Sequence, residues 1–290
     1  MDDREWDTTV FAMIYPDALA RHLGIAVLDR IETAGFEPVA WRVLWHRPDD
    51  LDSFHARNIA HVWPTYFHRL IDQLFALGPT VGMLVAARQR AAGPASYRRL
   101  LGAKGHGDPA RAEPGTIRGD LGSINKILSL VHCSDCPADS VRESAAFAGH
   151  DGFTRGEHPG ELRALVTLLQ AGTLPENRGY REVLAGVRAR ALVTALEDMR
   201  GPARGKAGAI LDAGPAALAM RGSGERLAAL LPAAHPLSGV LRADFTPQSP
   251  GPEPERAALT LAAFGVRLDD WQSLVLATSR RFWPRGATIS

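Results

Sequence analysis

Strand-like and helix-like segments alternate along the first 150 residues, and this alternation restricts the chain to a small sheet covered by helices. Short apolar runs rich in β-formers favour strands, whereas apolar residues spaced by three and four favour helices. Strands are predicted at 8–14, 38–45 and 80–86, and helices at 23–34, 61–77 and 96–101. Gly35 follows the first helix and Gly78 the second, as is common where helices end. The pattern predicts an α/β or α+β sandwich with a long polar loop at 102–117.

The pattern changes after His150, so we expect one domain at 1–150 and a C-terminal extension at 151–290. Amphipathic helices are predicted at 160–171 and 180–199, apolar runs occur at 207–212 and 239–242, helix-like stretches at 223–232 and 255–264, and a strand-like run at 273–279. This order resembles the start of the chain. Two interpretations are open: a degenerate repeat that is helical and then α+β, or an unrelated helical extension.

The charge balance indicates neither nucleic acid nor a membrane as partner. The 290 residues include 33 basic and 32 acidic side chains, which gives a formal net charge of +1. The charged start, Met1 to Glu5, does not resemble a secretory signal. No apolar run approaches the ~20 residues of a spanning helix. We therefore expect a soluble cytoplasmic protein.

The two cysteines, Cys133 and Cys136, form a C-x-x-C pair. This spacing is found in redox pairs and in halves of zinc sites. A zinc site needs two further ligands, and the chain has no second cysteine pair to supply them. Two reduced thiols are the alternative interpretation.

Three separated blocks of sequence carry the chemistry. They are FAMIYPDALARHLG at 11–24, PGTIRGD at 114–120 and VHCSDCPADSVRESA at 131–145. In this order and at these distances they resemble the opening strand and turn, the phosphate loop and the active-site segment of the nucleoside diphosphate kinase family. The resemblance covers about residues 8–148. It implies an α+β fold, a ferredoxin-like α/β sandwich, with the second part of the chain added to it.

The same resemblance implies that His132 accepts a phosphate, that Glu143 orients it and that Ser134 lies close to both. Phosphoryl transfer needs a positioned nucleophile and positive charge around the moving phosphate. A neutral imidazole nitrogen is available near pH 7, and a carboxylate fixes which nitrogen keeps the proton. Mg²⁺ bridging the nucleotide phosphates is the implied cofactor, with no metal held by the protein alone.

Two arginines match the phosphate-binding arginines of the family. Arg118 lies within PGTIRGD, and Arg98 lies six residues before Lys104, with Arg99 as the alternative if the register slips by one. Arginine suits this role because its planar fork gives bidentate bonds to phosphate oxygens. Phe67 lines up with the aromatic residue that stacks on the nucleobase, and packing in the core explains it equally well.

Several positions depart from the family pattern. Tyr15 replaces the lysine of M-I-K-P-D, and Lys104 replaces the threonine of L-G-x-T. Our hypothesis is that Lys104 returns the missing charge from across the pocket, in which case Lys104→Ala abolishes phosphoryl transfer. Ser129 stands at the position of the sugar-contacting asparagine, and Asn125 is a substitute if the loop is rerouted.

Two functions follow from these observations. The first is a nucleoside diphosphate kinase-like phosphotransferase, which passes the terminal phosphate of a nucleoside triphosphate through phosphohistidine to a nucleoside diphosphate or an unusual small-molecule acceptor. The second is a nucleotide-binding or assembly protein that has lost catalysis. The family assembles from dimers, so a homo-oligomer, here a dimer, is expected.

Overall fold

The computed structural model describes residues 5–47, 49, 51, 52, 55, 59, 65–88, 94–156, 158–220 and 222–282. The chain divides into two compact units, Met1–Asn177 and Arg178–Ser290. The first unit contains all three sequence blocks, and the second begins shortly before the helix predicted at 180–199.

In the described residues the first unit is built on a five-stranded antiparallel sheet with the order β4-β1-β3-β2-β5. Its strands are β1 (Thr9–Ile14), β2 (Phe36–Leu44), β3 (Thr80–Ala87), β4 (Val131–Cys133) and β5 (Thr154–Arg155). The order β4-β1-β3-β2 is that of a ferredoxin-like sandwich, so the predicted fold is confirmed. The first three strands were predicted to within two residues. β4 and β5 are too short to show an alternating pattern in the sequence.

Helices pack on this sheet. In the first unit they are α1 (Pro16–Ala20), α2 (Gly24–Thr33), α3 (Thr65–Ala76), α4 (Pro94–Lys104), α5 (Ile117–Asp120), α6 (Pro137–Ala148) and α7 (Pro159–Gln170). Proline opens α1, α6 and α7, where its missing N–H costs no helical hydrogen bond. Gly35 follows α2 with φ of 85°, the left-handed conformation predicted for the residue after a helix.

Two expected elements differ from the structure. The helix predicted at 96–101 extends to Lys104, so this lysine lies on the last turn of α4 and not in the following loop. The loop also contains a 3₁₀ turn, Pro109–Arg111, which the side chain of Asp108 caps by accepting from the N–H of Ala110 at 3.1 Å. Residues 61–64 of the helix predicted at 61–77 lie outside the described residues.

Alternate residues of β1 project to opposite faces of the sheet. One face carries the larger apolar cluster, which includes Val10, Ala12 and Ile14. The other carries a smaller cluster of Phe11 and Met13 with Phe147 of α6. His132 of β4 pairs with Met13, and directly opposite residues share a face. His132 therefore lies beside the smaller cluster, with its ring 6.3 Å from that of Phe11.

The first compact unit continues beyond residue 150. Thr154 of β5 pairs with Trp41 of β2. Helix α7 packs against α2 and β2, and its Leu162 and Val166 are fully buried in the larger apolar cluster. The unit that folds together is thus longer than the stretch covered by the three sequence blocks.

The regular elements in the described part of the second unit are all helical. They are α8 (Tyr180–Thr194), α9 (Pro202–Asp212), α10 (Pro215–Ala219), α11 (Ser223–Ala228), α12 (Pro236–Arg242), α13 (Pro254–Ala263) and α14 (Asp270–Phe282), with a 3₁₀ turn at Leu196–Asp198. The prediction of a strand at 273–279 was wrong, because these residues belong to α14. The apolar runs at 207–212 and 239–242 lie within α9 and α12. Of the two interpretations, the helical extension is therefore confirmed. The strands that a repeat of the first domain would contain do not occur in the described residues of the second unit.

Helix α14 forms in spite of its β-branched residues because its start is capped. The N–H of Gln272 donates to the carboxylate of Asp269 at 2.7 Å, and the amide oxygen of Gln272 accepts from the N–H of Asp269 at 3.2 Å. This reciprocal pair is a capping box. Trp271, Leu274 and Val275 are buried at helical spacing. The cap and the buried face together outweigh local strand propensity.

Candidate active site

The site is centred on His132, which the short strand β4 places next to β1. Its imidazole Nε2 lies 2.7 Å from Oε2 of Glu143 on α6, and 24% of its side chain is exposed. Ser134 follows β4; it is fully buried, and its hydroxyl donates to the same Oε2 at 2.6 Å. The predicted group of His132, Glu143 and Ser134 is thus brought together in the structure.

Arg142 completes the surroundings of the glutamate and was not singled out from the sequence. Its Nη2 donates to Oε1 of Glu143 at 2.9 Å and to Asp139 at 3.0 Å. Both carboxylate oxygens of Glu143 therefore carry hydrogen bonds. The D-x-x-R-E spacing at 139–143 was the available indication, because residues three apart on a helix are neighbours.

These bonds keep Glu143 ionised. Burial alone would raise its pKa, but the bonds from His132 and Ser134 and the charge of Arg142 hold the pKa of Glu143 at about 2. An ionised carboxylate only accepts hydrogen bonds, so the partner nitrogen of the imidazole carries the proton. With the proton on Nε2, the lone pair of a neutral His132 is on Nδ1.

Two cations approach the backbone on either side of His132. Nζ of Lys104 donates to the carbonyl oxygen of Cys133 at 3.2 Å and lies 3.9 Å from Oδ1 of Asp135. Nη2 of Arg118 donates to the carbonyl oxygen of Val131 at 2.9 Å. Burial lowers the pKa of Lys104. Lys104 therefore contacts the residue that follows His132, the predicted nucleophile.

Lys104 and Arg118 also line an open cavity of about 510 Å³ between the end of α4 and the loop that leads to α5. The lining residues are Leu101, Gly102, Lys104, Gly105, His106, Gly107, Arg111, Glu113 and Arg118. Gly105 has φ of 84°, and a Cβ at this position would meet the Thr116 hydroxyl at 2.4 Å, so the turn requires glycine. The cavity has the size of a small-ligand site, and most of its charges are positive.

Tyr15, which replaces the family's lysine, is half-buried beside this group. Its ring packs edge-on against Phe75 at 5.6 Å between centroids. Burial raises the pKa of Tyr15 well above its usual range, and the positive charge of Arg118 offsets this only in part. The hydroxyl therefore stays neutral and supplies no charge.

The other predicted contacts are placed less directly. Arg98 is exposed on α4 and does not line the cavity, whereas the alternative, Arg99, holds its guanidinium 4.8 Å from the centroid of the Phe36 ring. Phe67 is only 7% exposed, which favours packing over base stacking. The hydroxyl of Ser129 accepts from Arg118 at 3.3 Å.

Asn125 and the cysteines have local roles in the structure. The side-chain oxygen of Asn125 accepts from the N–H groups of Ile127 and Leu128 at 2.9 and 3.1 Å, which closes a buried turn. Cys133 and Cys136 are free thiols; Cys133 is buried, and Cys136 donates to Asp139 at 3.3 Å. The structure therefore contains no Cys133–Cys136 disulfide.

A second histidine near the site was missed in the sequence. His55 is 8% exposed, and burial lowers its pKa to about 3, with a further lowering from His132. Among the described residues no group of three or more His, Cys, Asp and Glu side chains is arranged to hold a metal ion. In the same part of the chain, no helix has the length and apolarity to cross a membrane.

Comparison with known proteins shows which family the chain is similar to. The sequence model described as nucleoside diphosphate kinase matches residues 8–152. The chain is 33% identical over 151 residues to a nucleoside diphosphate kinase of Archaeoglobus fulgidus, covering 52% of this chain and 93% of that protein. It is 36% identical over 139 residues to a chloroplastic nucleoside diphosphate kinase 2 of Nicotiana tabacum, covering 48% of this chain and 55% of that protein.

Among solved structures, the chain is similar to a halophilic nucleoside diphosphate kinase from Halobacterium salinarum in complex with CDP, with 26% identity and a TM-score of 0.43 over 55% of this chain and 97% of that one. The fold and site define the class: a ferredoxin-like α+β domain with a carboxylate-oriented histidine on an edge strand. The chain belongs to the nucleoside diphosphate kinase family, and it is longer than the domain that the family shares.

Proposed function

We propose that the protein is a nucleoside diphosphate kinase-like phosphotransferase in which His132 carries the phosphate. The observation that carries the proposal is the 2.7 Å contact between Nε2 of His132 and Glu143, itself bonded by Ser134 and Arg142. A neutral histidine held in this way presents the lone pair of Nδ1 to an incoming phosphorus. Family membership supports this activity.

The proposed first step is a displacement at the terminal phosphorus of a nucleoside triphosphate. The lone pair on Nδ1 of His132 forms the N–P bond, and the bond from phosphorus to the bridging oxygen breaks, so that the nucleoside diphosphate leaves with that electron pair. The imidazole becomes positively charged, and the carboxylate of Glu143 stabilises this charge through the proton on Nε2. An acceptor oxygen then attacks the phosphorus and regenerates His132.

The surrounding charges suit a phosphate chain. Lys104 and Arg118 flank the strand segment of His132 and open onto the cavity, where we propose that they bind phosphate oxygens. Mg²⁺ is proposed to arrive with the nucleotide and to neutralise its phosphate oxygens. Arg98 and Ser129 remain proposed nucleotide contacts, whereas the burial of Phe67 favours a packing role over the predicted contact with the base.

Tyr15 supports a second candidate, a nucleotide-binding or assembly protein without catalysis. A neutral hydroxyl in place of an ammonium group removes one charge that stabilises the transition state, which typically costs about 10²–10³ in rate.

An unusual acceptor is the other consequence that we propose for the altered site. We also propose a homo-oligomeric, cytoplasmic protein, with a dimer as the expected assembly.

The two candidates are separated by incubating the protein with Mg²⁺ and γ-labelled ATP. We expect acid-labile, alkali-stable label on the wild-type protein and none on His132→Ala. His235→Asn is a matched control, because His235 also contacts a carboxylate, Asp198 at 3.2 Å, in the second unit. It should label like the wild type.

The outcomes distinguish the candidates directly. An unlabelled wild-type protein at stoichiometric concentration that still binds nucleotide supports the non-catalytic protein and contradicts the phosphotransferase. Label that nucleoside diphosphates discharge supports ordinary kinase chemistry. Label that they do not discharge supports phosphotransfer to a different acceptor.

A further inference from the structure

The backbone turns sharply immediately before His132. The N–H of Val131 donates to the carbonyl oxygen of Ser129 at 2.8 Å, and the residue between them, Leu130, has φ of 71°. A bond across three residues with this φ defines a γ-turn of the strained type, and a bulky residue there is rare. Leu130 is nevertheless fully buried in the larger apolar cluster. The strand that carries the predicted nucleophile therefore begins with strained backbone.

Such strain persists only where the surroundings hold it in place. The carbonyl oxygen of Leu130 accepts from the N–H of Tyr15 at 2.9 Å. Arg118 donates to the carbonyl oxygens on both sides of the turn, at 3.1 Å to Ser129 and at 2.9 Å to Val131. The N–H of Leu130 donates to Oδ2 of Asp17 at 3.2 Å. Leu130 is the central residue of the turn, and the side chain of Asp17 accepts the hydrogen bond from its N–H.

Asp17 is an unusual residue to find at this point. It lies in the first turn of α1, is fully buried, and its Oδ1 has no hydrogen-bond partner. Burial raises the pKa of Asp17 to about 7, while the bond from Leu130 and the charge of Arg21 act in the opposite direction. A carboxylate with one unsatisfied oxygen costs stability in an apolar interior. The bond from the N–H of Leu130 offsets part of this cost.

We propose that Asp17 is a positioning residue for phosphoryl transfer: by accepting the N–H of Leu130 it holds the γ-turn at 129–131 and so fixes the position of the His132 ring. The turn can affect the His132 ring because Leu130 is only two residues before His132 in the chain. A shift of the turn moves β4 relative to β1 and changes the approach of Nδ1 to the phosphorus. Asp17 does not contact the reacting atoms. This inference rests on the proposed role of His132.

The test compares two substitutions of Asp17 with the wild type. Asp17→Asn keeps an oxygen that can accept from Leu130, whereas Asp17→Leu keeps the volume and removes the acceptor. In single-turnover labelling with γ-labelled ATP, we expect Asp17→Leu to lower the labelling rate by about 10²-fold, because misplacement of a nucleophile by about 1 Å has effects of this size. Asp17→Asn should recover most of the rate. The nucleotide concentration for half-maximal rate should change little in either.

Ile31→Ala serves as the control for general destabilisation. Ile31 is a fully buried residue of α2, and its truncation leaves a cavity in the same unit without removing a bond to the turn. At a temperature where both variants are folded by circular dichroism, Ile31→Ala should label at the wild-type rate. If Asp17→Leu also labels at that rate, or if Asp17→Asn is as slow as Asp17→Leu, the positioning role is refuted.

A second readout does not depend on phosphoryl transfer. The ¹⁵N and ¹H chemical shifts of the His132 imidazole report its contact with Glu143. We expect them to move in Asp17→Leu and to stay near their wild-type values in Asp17→Asn. Unchanged shifts in Asp17→Leu would overturn the proposal. An unlabelled wild-type protein whose shifts move as expected would instead refute the phosphotransferase and leave the positioning contact supported.

Discussion

Two residues that depart from the family pattern, Tyr15 and Lys104, change the positive charge that lysine contributes near His132. Tyr15 removes an ammonium group on one side of His132, and Lys104 adds one at the end of α4, 3.2 Å from the carbonyl oxygen of Cys133. Compared with the family pattern, the number of lysines at these two positions is unchanged, and the lysine is on α4 and not next to α1. A charge that stabilises a transition state acts through its position, so we propose that the two changes are linked.

Replacement of Lys104 by alanine tests this link. We expect labelling of His132 to be abolished within the sensitivity of the assay, since removing one preorganised donor usually lowers the rate by about 10²–10³-fold. The double variant Tyr15→Lys, Lys104→Thr restores the family arrangement and should label faster than Lys104→Ala. Labelling of Lys104→Ala at the wild-type rate would show that Lys104 does not compensate.

The pH dependence of stability tests the environment of Glu143. Its pKa is about 2 in the folded protein, below the ordinary value of 4.5. The group therefore stabilises the fold above pH 4.5, and this contribution is lost as the pH falls towards 2. At about 1.36 kcal/mol per pKa unit the upper limit is on the order of 3 kcal/mol.

We expect Glu143→Gln to unfold in urea at lower free energy than the wild type at pH 6. The gap between the two proteins should narrow between pH 5 and pH 3. A constant gap over this range would mean that the carboxylate is not held ionised by its neighbours.

At the level of elements, α6 determines where Glu143 lies above the sheet. Phe147, one turn after Glu143, lies over Gly82 of β3, where a Cβ would come within 2.2 Å of the phenyl ring. Gly82 pairs with Met13, the same residue that pairs with His132. The absence of a side chain at Gly82 thus allows the close approach of α6 to the strands that carry the histidine.

Gly82→Ala should therefore push α6 away from the sheet. We expect a loss of about 1–3 kcal/mol in the free energy of unfolding, as for other overpacked cores, together with slower labelling of His132. Gly208→Ala in α9 is the control, because no atom lies within 4 Å of the added Cβ. A Gly82→Ala protein of wild-type stability and labelling rate would contradict this account of α6.

The sequence predicted elements where a local pattern is long enough to be recognised. β1, β2 and β3 alternate or are continuously apolar, and they were placed correctly. β4, of only three residues, is specified by pairing with β1 and by the turn at Leu130, which no local pattern reveals. The strand propensity of 273–279 was misleading because the capping box at Asp269 and Gln272 starts a helix just before this run, and the run continues that helix as part of α14.

The same limit applies to the site. His132, Glu143 and Ser134 were predicted as a group and are found together. Arg142 bonds its neighbours Asp139 and Glu143 on the same helix, and only their spacing indicated it, whereas His55 reaches the site through tertiary packing that no sequence pattern reveals. The bonds from Arg118 to the carbonyl oxygen and the hydroxyl of Ser129 were also not predictable, since they join residues eleven positions apart in the chain.

At the level of the whole chain, the second unit has an internal organising residue of its own. Arg188 of α8 is fully buried and donates to the carbonyl oxygens of Leu218, Leu241 and Ala243. It also donates to the Ser223 hydroxyl at 3.0 Å and to Asp244 at 2.6 Å. These bonds join α8 to the segments around α10, α11 and α12.

Arg188→Ala should destabilise the second unit, because it leaves three carbonyl oxygens without their buried donor and Asp244 without its cation. Faster hydrogen exchange in α8 and α12 is the expected result. Arg190→Ala is the matched control on the same helix; Arg190 donates to Arg267 and Gln272 and is only partly buried. Equal exchange rates in the two variants would show that the buried network is not the main support.

We propose that Glu143 holds Nε2 of His132, so that Nδ1 receives the phosphate. The position of the phosphate on the ring tests it most directly. After incubation with ATP and Mg²⁺, alkaline hydrolysis of the protein and separation of the two phosphohistidine isomers should yield only the Nδ1-phosphorylated form, and His132→Ala should yield none. Recovery of the Nε2-phosphorylated isomer, or of no phosphohistidine at all, would contradict this account of the site.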